Sequence, residues 1–282
     1  MDRELDELNE EFGIGGKLRF ARGEGGFAIA QVDTGLARAR ISRHGAQVLS
    51  FAPSGERELL WLSPGARFEK GKAIRGGVPV CFPWFGPRDD EPGLPQHGYA
   101  RLMDWEILSS EEAASGEISL RLALPPPSCP GAIRGLGAEL SVRIGASLHI
   151  ALTGRNGGEA RLSYTAALHS YLAVSEVEGL LIEGLGEDLE MRGEVDREFS
   201  ASRGPYRIGD PAFARKMLVE KENSSTTVVW NPGPEKARAL PDIGEGPRHG
   251  MVCVEAVRAG ANRVTLEPGE EETFGTTIGL ES

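Results

Sequence analysis

A chain whose apolar residues alternate strictly with polar or small ones has few ways to fold, and this sequence does so three times in its middle third. Ile118, Leu120, Leu122 and Leu124 alternate, then Leu140, Val142 and Ile144, then Leu148, Ile150 and Leu152. Period two puts every second side chain on one face of an extended strand. These runs are therefore half-buried strands of an antiparallel sheet. Gly145-Ala146 between the last two reads as a tight reversal.

Shorter apolar runs bounded by Gly, Ser or Pro predict further strands over 27–32, 36–41, 47–51, 59–62, 164–174, 226–230, 251–257, 263–266 and 272–278. Pro268-Gly269 is a turn before the last of them. No long helices alternate with these strands, which argues against a parallel α/β sheet. Residues 193–210 are polar and weakly patterned, and are expected to form a long surface loop. Leu5, Leu8 and Phe12 share one face of a helix that Gly13 to Gly16 would end. The fold expected is all-β: one large antiparallel β-sandwich domain over 1–282, with a helical extension over 1–15.

Charge and cysteine content narrow the function classes. The formal net charge of the 282 residues is −11, whereas a general nucleic-acid binder is usually basic. Three cysteines (Cys81, Cys129, Cys253) without Cys-x-x-Cys spacing argue against a disulfide framework or a zinc ribbon. The first twelve residues are acidic and lack the apolar core of a signal peptide. No stretch approaches the ~18 apolar residues that span a bilayer. The expectation is a reduced cytoplasmic protein with no nucleic-acid or membrane partner; oligomeric state is left open, with a monomer favoured.

Residues 75–101, RGGVPVCFPWFGPRDDEPGLPQHGYAR, fit none of these strands. Their proline density forbids an amphipathic helix, and their aromatics do not suit a disordered linker. They predict an ordered, irregular loop on a rigid scaffold, where binding groups usually sit. Phe82, Trp84 and Phe85 offer plates for the apolar faces of a sugar ring. Arg75 and Arg101 at the two ends suit an anion.

Two other residues stand out. His169 lies in the mostly apolar Ala166-Ala167-Leu168-His169-Ser170-Tyr171, where a histidine needs a partner. Glu255 sits within Met251-Val252-Cys253-Val254-Glu255-Ala256-Val257, where a carboxylate is costly unless paired or used. On the bland reading, Glu255 faces solvent with Cys253 and Val257, and His169 is a satisfied core residue. His44, His149 and His249 read as solvated or locally bonded. No metal-ligand spacing, Walker loop, dinucleotide fingerprint or nucleophile elbow is visible. A histidine, a glutamate, arginines and aromatics without a cofactor suit proton transfer on a polar ligand.

These motifs resemble a known family. Arg75-Gly76-Gly77-Val78-Pro79-Val80-Cys81-Phe82-Pro83-Trp84-Phe85-Gly86 and Pro95-Gln96-His97-Gly98-Tyr99-Ala100-Arg101 are similar to segments of the hexose-6-phosphate mutarotases (glucose-6-phosphate 1-epimerases). So are Leu168-His169-Ser170-Tyr171-Leu172, Val228-Val229-Trp230-Asn231-Pro232 and Val252-Cys253-Val254-Glu255. That family is a branch of the aldose 1-epimerase superfamily, with a large twisted, galactose mutarotase-like β-sandwich. The resemblance implies that His169 protonates the ring oxygen of an aldohexose 6-phosphate and that Glu255 takes the proton of the anomeric hydroxyl. It implies substrate contacts from Arg75, Gln96, His97 and Arg101, the arginines on the phosphate, and no cofactor. One departure concerns a family aspartate that precedes a tyrosine; alignment on Tyr206 puts Arg203 in its place. Two rival readings are an aldose 1-epimerase acting on unphosphorylated sugars and a sugar-binding protein without catalysis on the same fold.

Overall fold

The computed structural model describes residues 2–88, 90–129 and 131–281. Among them, two large sheets carry the architecture. The nine-stranded sheet runs Leu189–Glu190, Leu181–Glu183, Tyr206–Asp210, Arg215–Glu222, Glu271–Leu280, Leu148–Asn156, Leu136–Ile144, Ile118–Ala123, Glu106–Glu112. The six-stranded sheet orders Val195–Phe199, Thr226–Asn231, Met251–Arg258, Ala166–Leu168 and Val80–Cys81, with Tyr171–Ala173 also paired to Met251–Arg258. A four-stranded meander (Leu18–Arg22, Ala28–Asp33, Ala37–Ser42, Gln47–Pro53) and the pair Leu162–Tyr164 with Val264–Leu266 complete it. Every pairing between these strands is antiparallel.

The three alternating runs pair with one another as their period requires. Leu140 stands between Leu122 and Leu152, and Val142 between Leu120 and Ile150. Leu136–Ile144 buries every second residue. Arg121 and Glu139, on the opposite face, form an exposed ion pair.

Met251–Arg258 behaves differently, because all eight of its residues are buried. Val252, Val254 and Ala256 enter the main core with Leu140, Val142 and Phe274 of the nine-stranded sheet. This shared core makes the two sheets a sandwich. Met251, Cys253 and Val257 face the other way, into a second cluster with Trp61, Tyr171, Trp230 and Ile243. A strand covered on both faces reads as a continuous apolar run, which is why it shows no period of two.

Part of that cover is the loop 75–101. Phe82, Trp84 and Tyr99 are 0%, 4% and 3% exposed, and all three belong to the main core. Large aromatics bury roughly 150–250 Å² each, about 4–6 kcal/mol of transfer free energy at about 25 cal/mol per Å². That burial holds the loop to the scaffold. The sugar-plate expectation is thereby corrected for Phe82 and Trp84, which belong to the main core; of the three, Phe85 lines the cleft that also holds His169 and Glu255.

Other expectations also change. Residues 164–174 form three short strands, not one. The backbone breaks at His169 and Ser170, where the Ser170 N–H turns back to the Leu168 carbonyl. Residues 193–210 contain two strands, Val195–Phe199 and Tyr206–Asp210, in place of a long surface loop. Residues 59–62 make isolated bridges only. The N-terminal helix spans Arg3–Phe12, with Asp2 as its N-cap and Gly13 as its C-cap. It lays Leu5, Leu8 and Phe12 against the main core. Among the described residues, no helix is long and apolar enough to cross a membrane.

Candidate active site

The second cluster stops short of covering the whole outer face of the six-stranded sheet. What remains is a cleft of about 400 Å³, lined by Arg75, Gln96, His97, His169 and Glu255, with Phe85, Asp196, Trp230 and Lys236 among the other walls. That volume lies in the range of roughly 300–1,000 Å³ usual for small-molecule sites. Five of the six residues singled out in the sequence therefore line one cleft. Arg101 does not line it; its Nη2 donates to the Gln96 carbonyl at 2.6 Å, so it stands behind Gln96.

Glu255 projects on the same side of its strand as Cys253 and Val257, as the alternation requires, but that side is not solvated. The residue is 1% exposed. His169 comes to it from the break between Ala166–Leu168 and Tyr171–Ala173, both of which pair with Met251–Arg258. Its backbone N–H donates to the Pro79 carbonyl, which ties it to the loop. Its ring lies flat on Tyr171, centroids 4.7 Å apart, with Trp230 edge-on at 6.1 Å. The result is a 3.3 Å contact between His169 Nε2 and Glu255 Oε1.

Burial sets the electrostatics of this pair. Desolvation raises the Glu255 carboxyl well above the usual carboxylate range; Asp196 adds to the rise and Arg101 opposes it. Desolvation also lowers His169 well below the usual imidazole value, helped by His97, Arg75 and Arg101. Both charged forms are disfavoured by burial. Glu255 Oε2 and His169 Nδ1 are buried with no hydrogen-bond partner in the protein. Such orphans are costly.

His97 is fixed by backbone. Its N–H donates to the Gly86 carbonyl at 2.9 Å, and its Nδ1 accepts from the Gly86 N–H at 3.2 Å. With Nδ1 accepting, a neutral ring carries its proton on Nε2, which is left as a donor. Burial, with the charges of Arg101 and Arg75, pushes His97 down to about 3, so the ring is neutral at pH 7. His97 also sits at φ 61°, an uncommon region for a residue with a Cβ and a frequent one at functional sites. Gly98 permits the turn, since a Cβ there would stand 2.0 Å from the Phe82 carbonyl oxygen.

Arg75 is held on three sides. Gln47 Nε2 donates to the carbonyls of Ile74 and Gly76, on either side of it. Its Nε donates to Asp242 Oδ2 at 3.0 Å and its Nη1 to the Tyr171 hydroxyl at 2.9 Å. Burial opposes the charge, and Tyr171 and Asp242 more than offset it.

Sequence reasoning missed Asp196 and Lys236, which pair at 3.6 Å at the cleft. Asp196 lies on Val195–Phe199, inside the segment expected to be a loop, and three charged residues in a row hid that strand. The alignment on Tyr206 puts Arg203 in the place of a family aspartate. Arg203 is exposed and outside the cleft, while the Tyr206 used for the alignment is buried, its hydroxyl bonded to Ser202 and Thr227. The cleft's aspartate is Asp196, ten residues upstream of Tyr206. Lys236 is on a short helix, Gly233–Arg238, that no sequence signal announced.

The aldose 1-epimerase family model matches residues 29–191 and 184–279, nearly the whole sandwich and all of the cleft. The chain belongs to the aldose 1-epimerase family. A relative from Escherichia coli K12 named "Putative glucose-6-phosphate 1-epimerase" is 32% identical over 255 residues, 84% of this chain and 85% of its own. One of the same name from Cenchrus ciliaris is 33% identical over 261 residues, 83% of this chain and 78% of its own. A solved Salmonella typhimurium structure, described as "a putative mutarotase", superposes with a TM-score of 0.87 at 25% identity, covering 99% of both chains. The all-β sandwich thus agrees with a solved fold over its full length. In this aldose 1-epimerase family member, the cleft brings together the histidine and glutamate that its sequence singled out.

Proposed function

We propose that this protein interconverts the α and β anomers of an aldohexose 6-phosphate, glucose 6-phosphate foremost, without a cofactor. The observation that carries the proposal is the His169–Glu255 contact, 3.3 Å long and buried in a cleft whose wall includes Arg75. The names of the Escherichia coli and Cenchrus ciliaris relatives support the same substrate for this chain.

Opening a hemiacetal ring needs an acid at the ring oxygen and a base at the anomeric hydroxyl together. A sugar entering between the two groups separates them. The step runs with the pair's proton on His169: the imidazolium gives it to the ring oxygen, Glu255 as the carboxylate takes the hydroxyl proton, and the C1–O5 bond breaks to leave an aldehyde. Rotation about C1–C2 and the reverse transfers close the other anomer. One proton enters the substrate and one leaves it, so the pair is restored after closure. Each positioned transfer contributes about 10²–10⁴ in rate. The free oxygen of Glu255 and the neutral Nε2–H of His97 supply hydrogen bonds to the sugar's hydroxyls. Trp230 and Phe85 offer apolar ring surface, and Arg75 holds the phosphate, a planar fork suited to bidentate contact. Arg101, behind Gln96, adds positive field, and Gln96 contacts the sugar. Cys81, Cys129 and Cys253 are all unpaired, which supports a reducing cytoplasmic setting.

The test is exchange NMR between α and β anomeric protons, with and without protein, on glucose 6-phosphate and on glucose at equal concentration. Acceleration confined to the phosphosugar is the expected result. Equal or greater acceleration of glucose would move the protein to the epimerases of free sugars. No acceleration of either would leave a sugar-binding protein.

A further inference from the structure

We propose that Asp242 is a positioning residue, one that sets the affinity for the phosphate group by holding Arg75 in a single orientation. The inference rests on the reading of the cleft as a phosphosugar site and deepens it. Asp242 itself does not line the cleft, so it acts through the arginine.

The argument is one of donors. A guanidinium has five N–H groups in a fixed plane: one on Nε and two on each Nη. Asp242 Oδ2 takes the Nε–H at 3.0 Å, and the Tyr171 hydroxyl takes one Nη1–H at 2.9 Å. Three N–H groups remain, the second on Nη1 and both on Nη2, donors on neighbouring nitrogens of the kind a two-oxygen anion accepts. Without Asp242 the plane would be free to turn about its last rotatable bonds, and the entropy of ordering it would fall on the ligand. The backbone cannot supply that constraint. Gln47 pins the carbonyls on both sides of Arg75, but it does not touch the guanidinium.

Asp242 is itself anchored. The Ser63 hydroxyl donates to its carbonyl. The next residue, Ile243, is 2% exposed within the cluster behind the cleft. The carboxylate is thus carried on a fixed backbone. Its side chain keeps a quarter of its surface exposed, as does that of Arg75.

A competing electrostatic effect gives the test its discrimination. Asp242 is also a negative charge near a phosphate, and if that mattered most, neutralising it would tighten binding. Asparagine removes the charge and keeps an acceptor for the Nε–H; alanine removes both. On the positioning account, Asp242→Ala raises KM for glucose 6-phosphate tenfold or more, with kcat within about threefold of the wild type. Asp242→Asn stays within about threefold on both constants, and neither variant changes anomer exchange of free glucose, where that is measurable.

An unchanged KM in Asp242→Ala overturns the inference. So does an equal loss on phosphorylated and free sugar, which a merely structural role would give. If the alanine variant does not fold, the asparagine variant decides, and a tenfold loss there overturns the inference. A wild-type protein that fails to accelerate phosphosugar exchange would instead sink the proposed function, and this inference with it. The two failures are told apart by the wild-type baseline.

Discussion

The two faces of the sandwich differ in what covers them. The nine-stranded sheet shows one side to the core and the other to water, so Leu140 is 1% exposed while the preceding residue of its strand, Glu139, is in an exposed ion pair with Arg121. The six-stranded sheet is covered on both sides at its centre. Its outer cover is incomplete, and the gap holds two ionisable groups of low exposure, Glu255 at 1% and His169 at 8%. The first sheet contributes stability; the second accepts a cost in stability to hold groups that water would otherwise keep charged. The difference is one of burial: desolvation disfavours the charged form of both the histidine and the glutamate.

The difference can be sharpened by substitution, and the largest effect is expected in the covered sheet. His169→Gln removes one of the two proton transfers and should lower the catalysed exchange rate about 10²–10⁴-fold, measured by anomeric exchange NMR. Its effect on the unfolding midpoint should be small, since the ring is satisfied on one side only. Leu140→Ala, in the other sheet, should do the opposite. A core leucine truncated to alanine costs about 2–5 kcal/mol, read as a lowered urea midpoint, with exchange per folded molecule unchanged. A Leu140→Ala variant that lost exchange at full folding would break the division between the sheets.

The pH profile sharpens it further. Exchange requires one proton on the pair. His169 is lowered by burial, so the acid limb, where the pair gains a second proton, should fall below the imidazole value of 6.5. Glu255 is raised by burial, so the alkaline limb, where the last proton leaves, should lie above the carboxylate value of 4.5. A profile with its acid limb above pH 6.5 would contradict burial as the cause. The smallest effect belongs to the solvated face: Arg121→Ala should change stability by no more than about 0.5 kcal/mol and leave exchange untouched.

The same difference explains what could be read in the sequence. The nine-stranded sheet was legible from Ile118, Leu140 and Leu148 onward because water on one face imposes a period of two. Met251–Arg258 carries no period, and Glu255 was visible only as a carboxylate out of place in an apolar run. His169 was visible for the same reason, but the break that aims it was not. A turn between two short strands of one sheet leaves the composition of a single strand. Asp196 and Lys236 were invisible because charged residues at a cleft mouth look like any solvated surface. Phe82 and Trp84 misled in the other direction: a core anchor and a sugar platform are the same residue types, and the difference lies in which way the loop faces.

One measurement bears most directly on the buried pair. Glu255→Gln keeps the size and the hydrogen-bonding edge of the side chain and removes its ability to take a proton. Anomeric exchange of glucose 6-phosphate and its binding should be measured on the same sample. Binding within a few fold of the wild type with exchange reduced about 10²–10⁴-fold is the expected result. Exchange at the wild-type rate with binding intact would show that Glu255 is a buried structural carboxylate and that the chemistry lies elsewhere.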